Sequence, residues 1–349
     1  MKNEKLIQNT ADLAASSLLS PEEAQKLAPV ISSHALRITP VMAELIRKNP
    51  DGPVARQFIP DIQELTILPH EQTDPIGDQA HSPVSGLVHR YPDRVLFKII
   101  HQCAVYCRFC FRREMVGKPE LSILPDHAID QAIRYIAGHE TIREVVFSGG
   151  DPLLVSPRRL SRVLKALALI PHLDVLRFHT RIPVADPERV QDNLLQALRS
   201  SQKATFIALH ANHADEFTPQ AEKACSLLID AGFPMLGQSV LLKGINNSPE
   251  ALEALMRSFI RLRIKPYYLH HPDLAPGTGH FRLSIKEGQQ LVQNLRGRIS
   301  GLCQPHYMLD IPGGFGKTPL ATCGITENPE TGSWIARDFN GVDHDYQDS

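Results

Sequence analysis

The chain has no uninterrupted apolar stretch long enough to cross a bilayer, and its first residues, MKNEKLIQNTADLAASSLLS, carry charge where a secretory signal needs a sustained apolar core. Neither a membrane span nor export is expected, and the cytoplasm is the default compartment. An excess of one charge sign is missing too: the formal net charge is -1 over 349 residues, with no long basic run. That removes the electrostatic footprint of a nucleic-acid binder. Cysteine is sparse, six in all, and too unevenly spread to read as a disulfide framework, which suits a reducing compartment. Apolar residues are plentiful at 42%. They can bury a large core, as one barrel-sized α/β domain or as a domain with an extension.

Half of the cysteines crowd into Cys103-Ala-Val-Tyr-Cys107-Arg-Phe-Cys110, while Cys225, Cys303 and Cys323 stand singly. Thiolates hold iron–sulfur clusters; a four-iron cubane takes four ligands, and a C-x3-C-x2-C run supplies three, leaving one iron open to a substrate or cofactor. A zinc site is the competing reading, but zinc knuckles pair C-x2-C with a second Cys or His pair. The spacing resembles that of radical S-adenosylmethionine (SAM) enzymes. There the open iron chelates the amino and carboxylate groups of SAM, and one electron cleaves SAM to a 5'-deoxyadenosyl radical.

Along the chain, residues 1–85 read as an N-terminal helical accessory region, with helices near 21–27 and 40–48 and then a connection spotted by Pro53, Pro60, Pro69 and Pro75. From residue 86 to 300, short β-rich apolar runs alternate with helical patterns, which argues for βα units around a parallel sheet. Strands are expected at 95–100, 144–148, 174–178, 205–210, 234–241 and 265–269. Helices are expected near 127–138, 157–170, 188–200, 216–231, 248–262 and 284–298. Six units are too few for a closed eight-stranded barrel, so the fold expected is α/β, a partial (βα)6 TIM-like barrel whose working residues gather at the C-terminal strand ends. Residues 301–349 form a last segment and tail.

The motifs fall at those strand ends. The cysteine loop follows the first strand, and the second runs into Ser148-Gly149-Gly150-Asp151, where glycines permit close backbone approach to a ligand. By itself that element reads as a tight turn; one strand after the cysteine loop, it reads as part of the SAM site. His210-Ala-Asn-His213 ends the fourth strand, and Gln238 lies in the fifth. Near the C-terminus, Asp310-Ile-Pro-Gly313-Gly314-Phe-Gly316-Lys317-Thr318-Pro319 imitates a phosphate loop through its GKT. It fails on spacing, because Ile311 stands where the first glycine belongs and Pro319 would disturb the helix. Two readings stay open: a surface loop with a solvated lysine, or a lysine on a glycine-rich bend presented to an aldehyde cofactor such as pyridoxal 5'-phosphate (PLP).

From about Ser82 onward the chain resembles lysine 2,3-aminomutase. The resemblance rests on Pro83-Val-Ser-Gly-Leu-Val-His-Arg90-Tyr-Pro-Asp-Arg94, the cysteine loop with Arg112-Arg113, Ser148-Gly-Gly-Asp151, Gln238-Ser-Val-Leu-Leu and the PGG-x-GKTP segment. It implies an isomerase that moves the α-amino group of L-lysine to the β-carbon, using a [4Fe-4S] cluster, SAM and PLP. By the same resemblance, Cys103, Cys107 and Cys110 would bind the cluster, and Lys317 would carry PLP on its ε-amine. Arg90 and Arg94 would lie near the PLP phosphate, and Gly149, Gly150, Asp151, His210 and Gln238 would line the SAM pocket. Arg112 would pair with the substrate carboxylate, and Asp273 and Asp310 would grip its distal ammonium. An electron donor such as flavodoxin or ferredoxin and a homo-oligomer are implied as partners.

There are departures. The zinc-binding cysteines of full-length lysine-degrading members have no counterpart in a tail holding only Cys323, so no zinc is expected. Phe111 stands where many members have Thr, and His270 where they have Tyr. These departures lean toward the branch that supplies β-lysine to elongation factor P, whereas Asp310 fits the free-lysine enzymes. Two alternatives remain: an aminomutase for glutamate or another amino acid, and a cluster-bearing electron-transfer protein.

Overall fold

The computed structural model describes residues 5–118, 123–322, 324–327, 329 and 333–347. Its centre is a nine-stranded sheet in which sequence order and spatial order coincide. β1 (Leu87–Tyr91) is antiparallel to β2 (Arg94–Ile100). β2 then starts a parallel run through β3 (Glu144–Gly149), β4 (Val175–Thr180), β5 (Ala204–His210), β6 (Met235–Val240), β7 (Ile264–His270) and β8 (His306–Asp310). β9 (Lys317–Pro319) turns back along β8. The six expected strands are all present, within a residue or two of the limits expected. A seventh parallel strand, β8, extends the run beyond residue 300; its sequence HYMLD is short and half polar, so its apolar pattern is faint.

The strands are short runs rich in β-branched and aromatic residues, buried on both faces over much of their length as parallel strands are, and the register carries each face round the sheet. One face presents Val95, Phe97, Ile99, Val145, Phe147, Leu176, Phe178, Ile207 and Leu209, each at most 1% exposed. The rings of Phe97, Phe147 and Phe178 stack in sequence across three neighbouring strands. Against this face pack helices such as Asp126–Ala137, Pro157–Ala168, Pro219–Asp230 and Pro249–Arg261. Three of the four begin with the same device: Ser156, Thr218 or Ser248 accepts a hydrogen bond from the third helical N–H, and a proline follows at once. Such starts supply an acceptor for an orphan donor and set φ for the first turn.

The N-terminal region is continuous with this core. Ile7, Leu13, Leu36, Ile38, Met42, Ile46 and Phe58 belong to the same buried cluster as the sheet and its helices. At the other end β10 (Ile325–Glu327), β11 (Trp334–Arg337) and β12 (Asp343–Tyr346) make a small antiparallel sheet. Cys323 lies outside the described residues. No helix among the described residues is long and apolar enough to cross a membrane.

Candidate active site

The face opposite the helices is polar near the C-terminal strand ends. Register sets Lys98 beside Ser148, and His210 beside Gln238, and it pairs Asp310 with Lys317. His179 and His270 belong to the same alternation set on β4 and β7. The strands therefore hold a belt of polar side chains inside the half-barrel, the arrangement expected of a site at the C-terminal end of a parallel barrel. The open side between β1 and β9 is narrowed by one contact, the Lys317 N–H donating to Tyr91 Oη at 2.9 Å.

The cysteine loop leaves β2 and lines a small cavity with all three thiols, together with His34, Tyr106 and Arg113. Among the described residues no three His, Cys, Asp or Glu side chains are grouped as around a single metal ion. The thiols are still near enough to act on one another: burial raises the pKa of each, to about 11 for Cys110, and neighbouring cysteine charge adds to the rise at Cys103 and Cys110. Arg181 opposes this at Cys107, donating from Nη1 to Sγ at 3.1 Å. Metal coordination would supply the remaining drive to ionise, since a bound thiol is deprotonated outright.

Two buried networks position the loop, and the sequence reading found neither. In one, Glu64 accepts from Arg108 Nε and Nη2 at 2.9 and 2.7 Å, and from Arg113 Nη2. Arg113 Nη1 also donates to the Arg108 carbonyl at 3.1 Å, and Arg108 Nη1 to the Ala35 carbonyl at 3.0 Å. Burial would raise the Glu64 pKa, but the two guanidiniums overrule it and hold the carboxyl below its usual range. In the other, Glu216 joins Arg181, Gln57 and the backbone N–H groups of Asn212 and His213. The sequence signal for the first was an arginine on each side of Cys110 with no visible partner; the second, built on Arg181 and Gln57, gave none.

The Ser148–Asp151 element closes against the same loop. Gly150 N–H donates to the Ile100 carbonyl and Asp151 N–H to the Gln102 carbonyl, at 2.6 and 2.8 Å. A Cβ on Gly150 would meet the Gln102 carbonyl oxygen at 2.2 Å. The Asp151 carboxylate is taken up by the chain, accepting from Thr180 Oγ1, Arg181 N–H and Leu153 N–H. It braces the ends of β3 and β4.

Across the mouth stands a group of acids and cations. Asp78 accepts from Arg112 Nε and Nη2 at 3.1 and 3.0 Å, from Arg90 Nη2 at 3.2 Å and from Lys98 Nζ at 3.4 Å. Burial raises its pKa, but Arg112 and Lys98 win and hold it low. Arg94 sits at the start of β2, paired with Asp93 at 2.7 Å and stacked 3.8 Å over the Tyr91 ring. Its one link to the site among these contacts is Tyr91, whose hydroxyl accepts from the Lys317 N–H.

The Lys317 ammonium lies on both oxygens of Asp310. His270 Nδ1 stands 3.4 Å from the same carboxylate. Burial pushes Asp310 upward, yet His270 and Lys317 outweigh it and hold this carboxyl well below the usual range. Asp273, on the loop after β7, goes the other way: burial first, then the Asp310 charge, push it up to about 7. Around these groups, Arg90 Nε, His179 Nε2, His210 Nε2, Gln238 Oε1 and His270 Nε2 are shielded from solvent and have no hydrogen-bond partner. Shielded polar atoms of this kind call for a polar ligand.

Residues 97–256 match the Radical SAM superfamily model. The L-lysine 2,3-aminomutase of Acetoanaerobium sticklandii is 39% identical over 326 residues, covering 93% of this chain and 78% of that one. The enzyme of the same name from Fusobacterium nucleatum is 38% identical over 338 residues, covering 96% and 79%. The glutamate 2,3-aminomutase of Clostridioides difficile is 35% identical over 305 residues, covering 86% and 71%.

Proposed function

The chain belongs to the lysine 2,3-aminomutase family of radical SAM enzymes, which makes it an isomerase, and on that premise we propose that it converts L-lysine to β-lysine. The observation that carries the choice of substrate is the Lys317 ammonium on Asp310, with a second carboxyl, Asp273, close enough for the Asp310 charge to help push it up to about 7. The lysine side chain of the protein here takes the place of a lysine substrate: a primary alkylammonium on a buried carboxylate, with a second carboxyl in reserve. A buried ammonium is tolerable only when paired, and glutamate would bring a third carboxyl group to the same place.

Cys103, Cys107 and Cys110 would hold a [4Fe-4S] cluster and Lys317 would carry PLP; together with SAM these groups supply one-electron chemistry and a π-system for the migrating nitrogen. The unpartnered Arg90, His179 and His270 atoms suit a ring bearing a phosphate, and His210 and Gln238, side by side on β5 and β6, suit the polar parts of SAM. Gly149 and Gly150 keep the backbone within reach of the open side of the cluster loop. Arg112 would take the substrate carboxylate on Nη1, the nitrogen its bonds to Asp78 leave free, and Asp310 and Asp273 the distal ammonium. The half-barrel and the N-terminal region over its mouth keep water and oxygen from reactive carbon.

The test is anaerobic: chain reconstituted with iron, sulfide and PLP, then given dithionite, SAM and either L-lysine or L-glutamate, with products resolved by chiral mass spectrometry. β-Lysine is the expected product, and its enantiomer separates the elongation factor P branch from the lysine-degrading one. SAM cleavage with lysine unchanged and glutamate isomerised would overturn the substrate assignment.

A further inference from the structure

Lys98 is an unusual residue to find in β2. Its neighbours Phe97, Ile99 and Ile100 are buried apolar residues, and the Lys98 side chain itself is 7% exposed. Its Nζ lies 3.4 Å from Asp78 Oδ2, the oxygen that already accepts two bonds from Arg112, while the other Asp78 oxygen serves Arg90. Three cations, buried Lys98 and half-buried Arg90 and Arg112, thus share one carboxylate. Of the other acids nearby, Asp310 holds Lys317 and Asp151 holds Thr180 and Arg181; Asp74 accepts from the Asp78 and Gln79 N–H groups at 2.8 Å each and its charge acts on Lys98, and Asp273, pushed up by burial and the Asp310 charge, feels Arg112. A buried surplus of positive charge is costly without an anion to meet it.

The geometry also shows where that anion would sit. Ser148 is the register partner of Lys98 on β3, and its Oγ lies 3.5 Å from Arg112 Nη1, the arginine nitrogen that Asp78 leaves free. Lys98, Ser148 and the outer edge of Arg112 therefore converge at the ends of β2 and β3, beside the cysteine loop. From this geometry we infer that Lys98 is the second cation of the seat for the α-carboxylate of the substrate, and that Asp78 is the rack that keeps Lys98 and Arg112 together. The inference deepens the proposed function and rests on it for the ligand. A carboxylate received by Arg112 Nη1 and by a lysine is held at two positions and cannot swing about one, which fixes the α- and β-carbons relative to the cysteine loop.

The experiment uses the anaerobically reconstituted holoenzyme and the variants Lys98→Met and Lys98→Arg. Dissociation constants are measured for L-lysine and for 1,5-diaminopentane, which keeps the distal ammonium and lacks the carboxylate; L-glutamate and 4-aminobutanoate form a second pair. Lys98→Met is expected to weaken L-lysine about tenfold, the effect of losing one charge-assisted hydrogen bond. It should leave 1,5-diaminopentane and PLP absorbance unchanged and should not lower the melting temperature, since it removes one cation from a surplus, and Lys98→Arg should restore most of the lysine affinity. Equal weakening of lysine and the diamine would overturn the inference, as would loss of PLP absorbance, which would assign the seat to the cofactor phosphate. If the wild type prefers glutamate to lysine, the substrate reading fails while the effect of Lys98 is read on the glutamate pair.

Discussion

Asp273 and Asp310 show how two carboxyl groups of one site acquire different roles from their surroundings. Asp310 has the Lys317 charge and His270 to hold it ionised, while Asp273 has burial and the charge of Asp310 against it. With a folded pKa of about 7 against an ordinary 3.8, Asp273 keeps its proton in the folded chain over a range where the unfolded chain has lost it. The folded state then binds more protons, so stability falls as pH rises from 3.8 toward 7 and stays reduced above. Asp310 acts in the opposite sense, with stability lost only as pH drops below 3.8, outside that window. Asp273→Asn should therefore melt higher than the wild type at pH 7.5 in the cofactor-free chain, with the difference vanishing near pH 4, and it should lose lysine binding. A parallel fall of both proteins across the window would show that Asp273 is not the group responsible. In the wild type, an arriving ammonium should expel the proton, so calorimetric lysine binding at pH 6 should depend on the ionisation enthalpy of the buffer.

At the scale of elements, the loop between β2 and the helix Asp126–Ala137 is held by contacts too short to admit a side chain. Gly150 has no room for a methyl group, because the Gln102 carbonyl would lie 2.2 Å from it. Gly150→Ala must push the cysteine loop off the end of β3, costing about 1–3 kcal/mol of the kind seen on overpacking. Iron bound per chain after reconstitution should drop well below the wild-type value, and unchanged iron content would mean that the loop yields without losing its thiol geometry. The glycine pair was legible in the sequence, but not which surface it faces. The strands were legible for a plain reason: short runs of Val, Ile, Leu and Phe such as 95–100 and 144–148, spaced between helical patterns, suit strands buried on both faces. β8 was not, because MLD runs straight into a glycine-rich bend and draws its stability from pairing with β7 and β9. Lys98 and His179 escaped notice for a related cause, and Asp78, in a turn before β1, because its cationic partners lie far along the chain. A polar residue inside a strand announces that something polar faces it, but only the register says what.

At the scale of the whole molecule, the residues before β1 belong to the site's architecture. Glu64 and Gln57 come from that region, yet each reaches an arginine next to the cysteine loop or the end of β4. Composition alone suggested an accessory region, because its helices are short and its prolines many; the long-range partners of its two buried polar side chains are invisible to local pattern. The expected consequence is that cluster binding and the folding of the N-terminal region support each other. Glu64→Gln removes the sole carboxylate from between Arg108 and Arg113 and leaves both guanidiniums buried with a neutral acceptor. Truncating one partner of a buried ion pair costs about 3–5 kcal/mol, and here the released arginines flank Cys110. The variant should unfold at lower denaturant, and its reconstituted cluster should be lost to a chelator faster than that of the wild type. Replacing a surface acid of the same region, Glu44, whose pair with Lys48 is exposed, should change stability by less than about 1 kcal/mol and leave chelator resistance untouched. If the two substitutions behaved alike, the N-terminal region would be a passive cover, and the ion pairs that cross from it to the cysteine loop would have no part in holding the cluster.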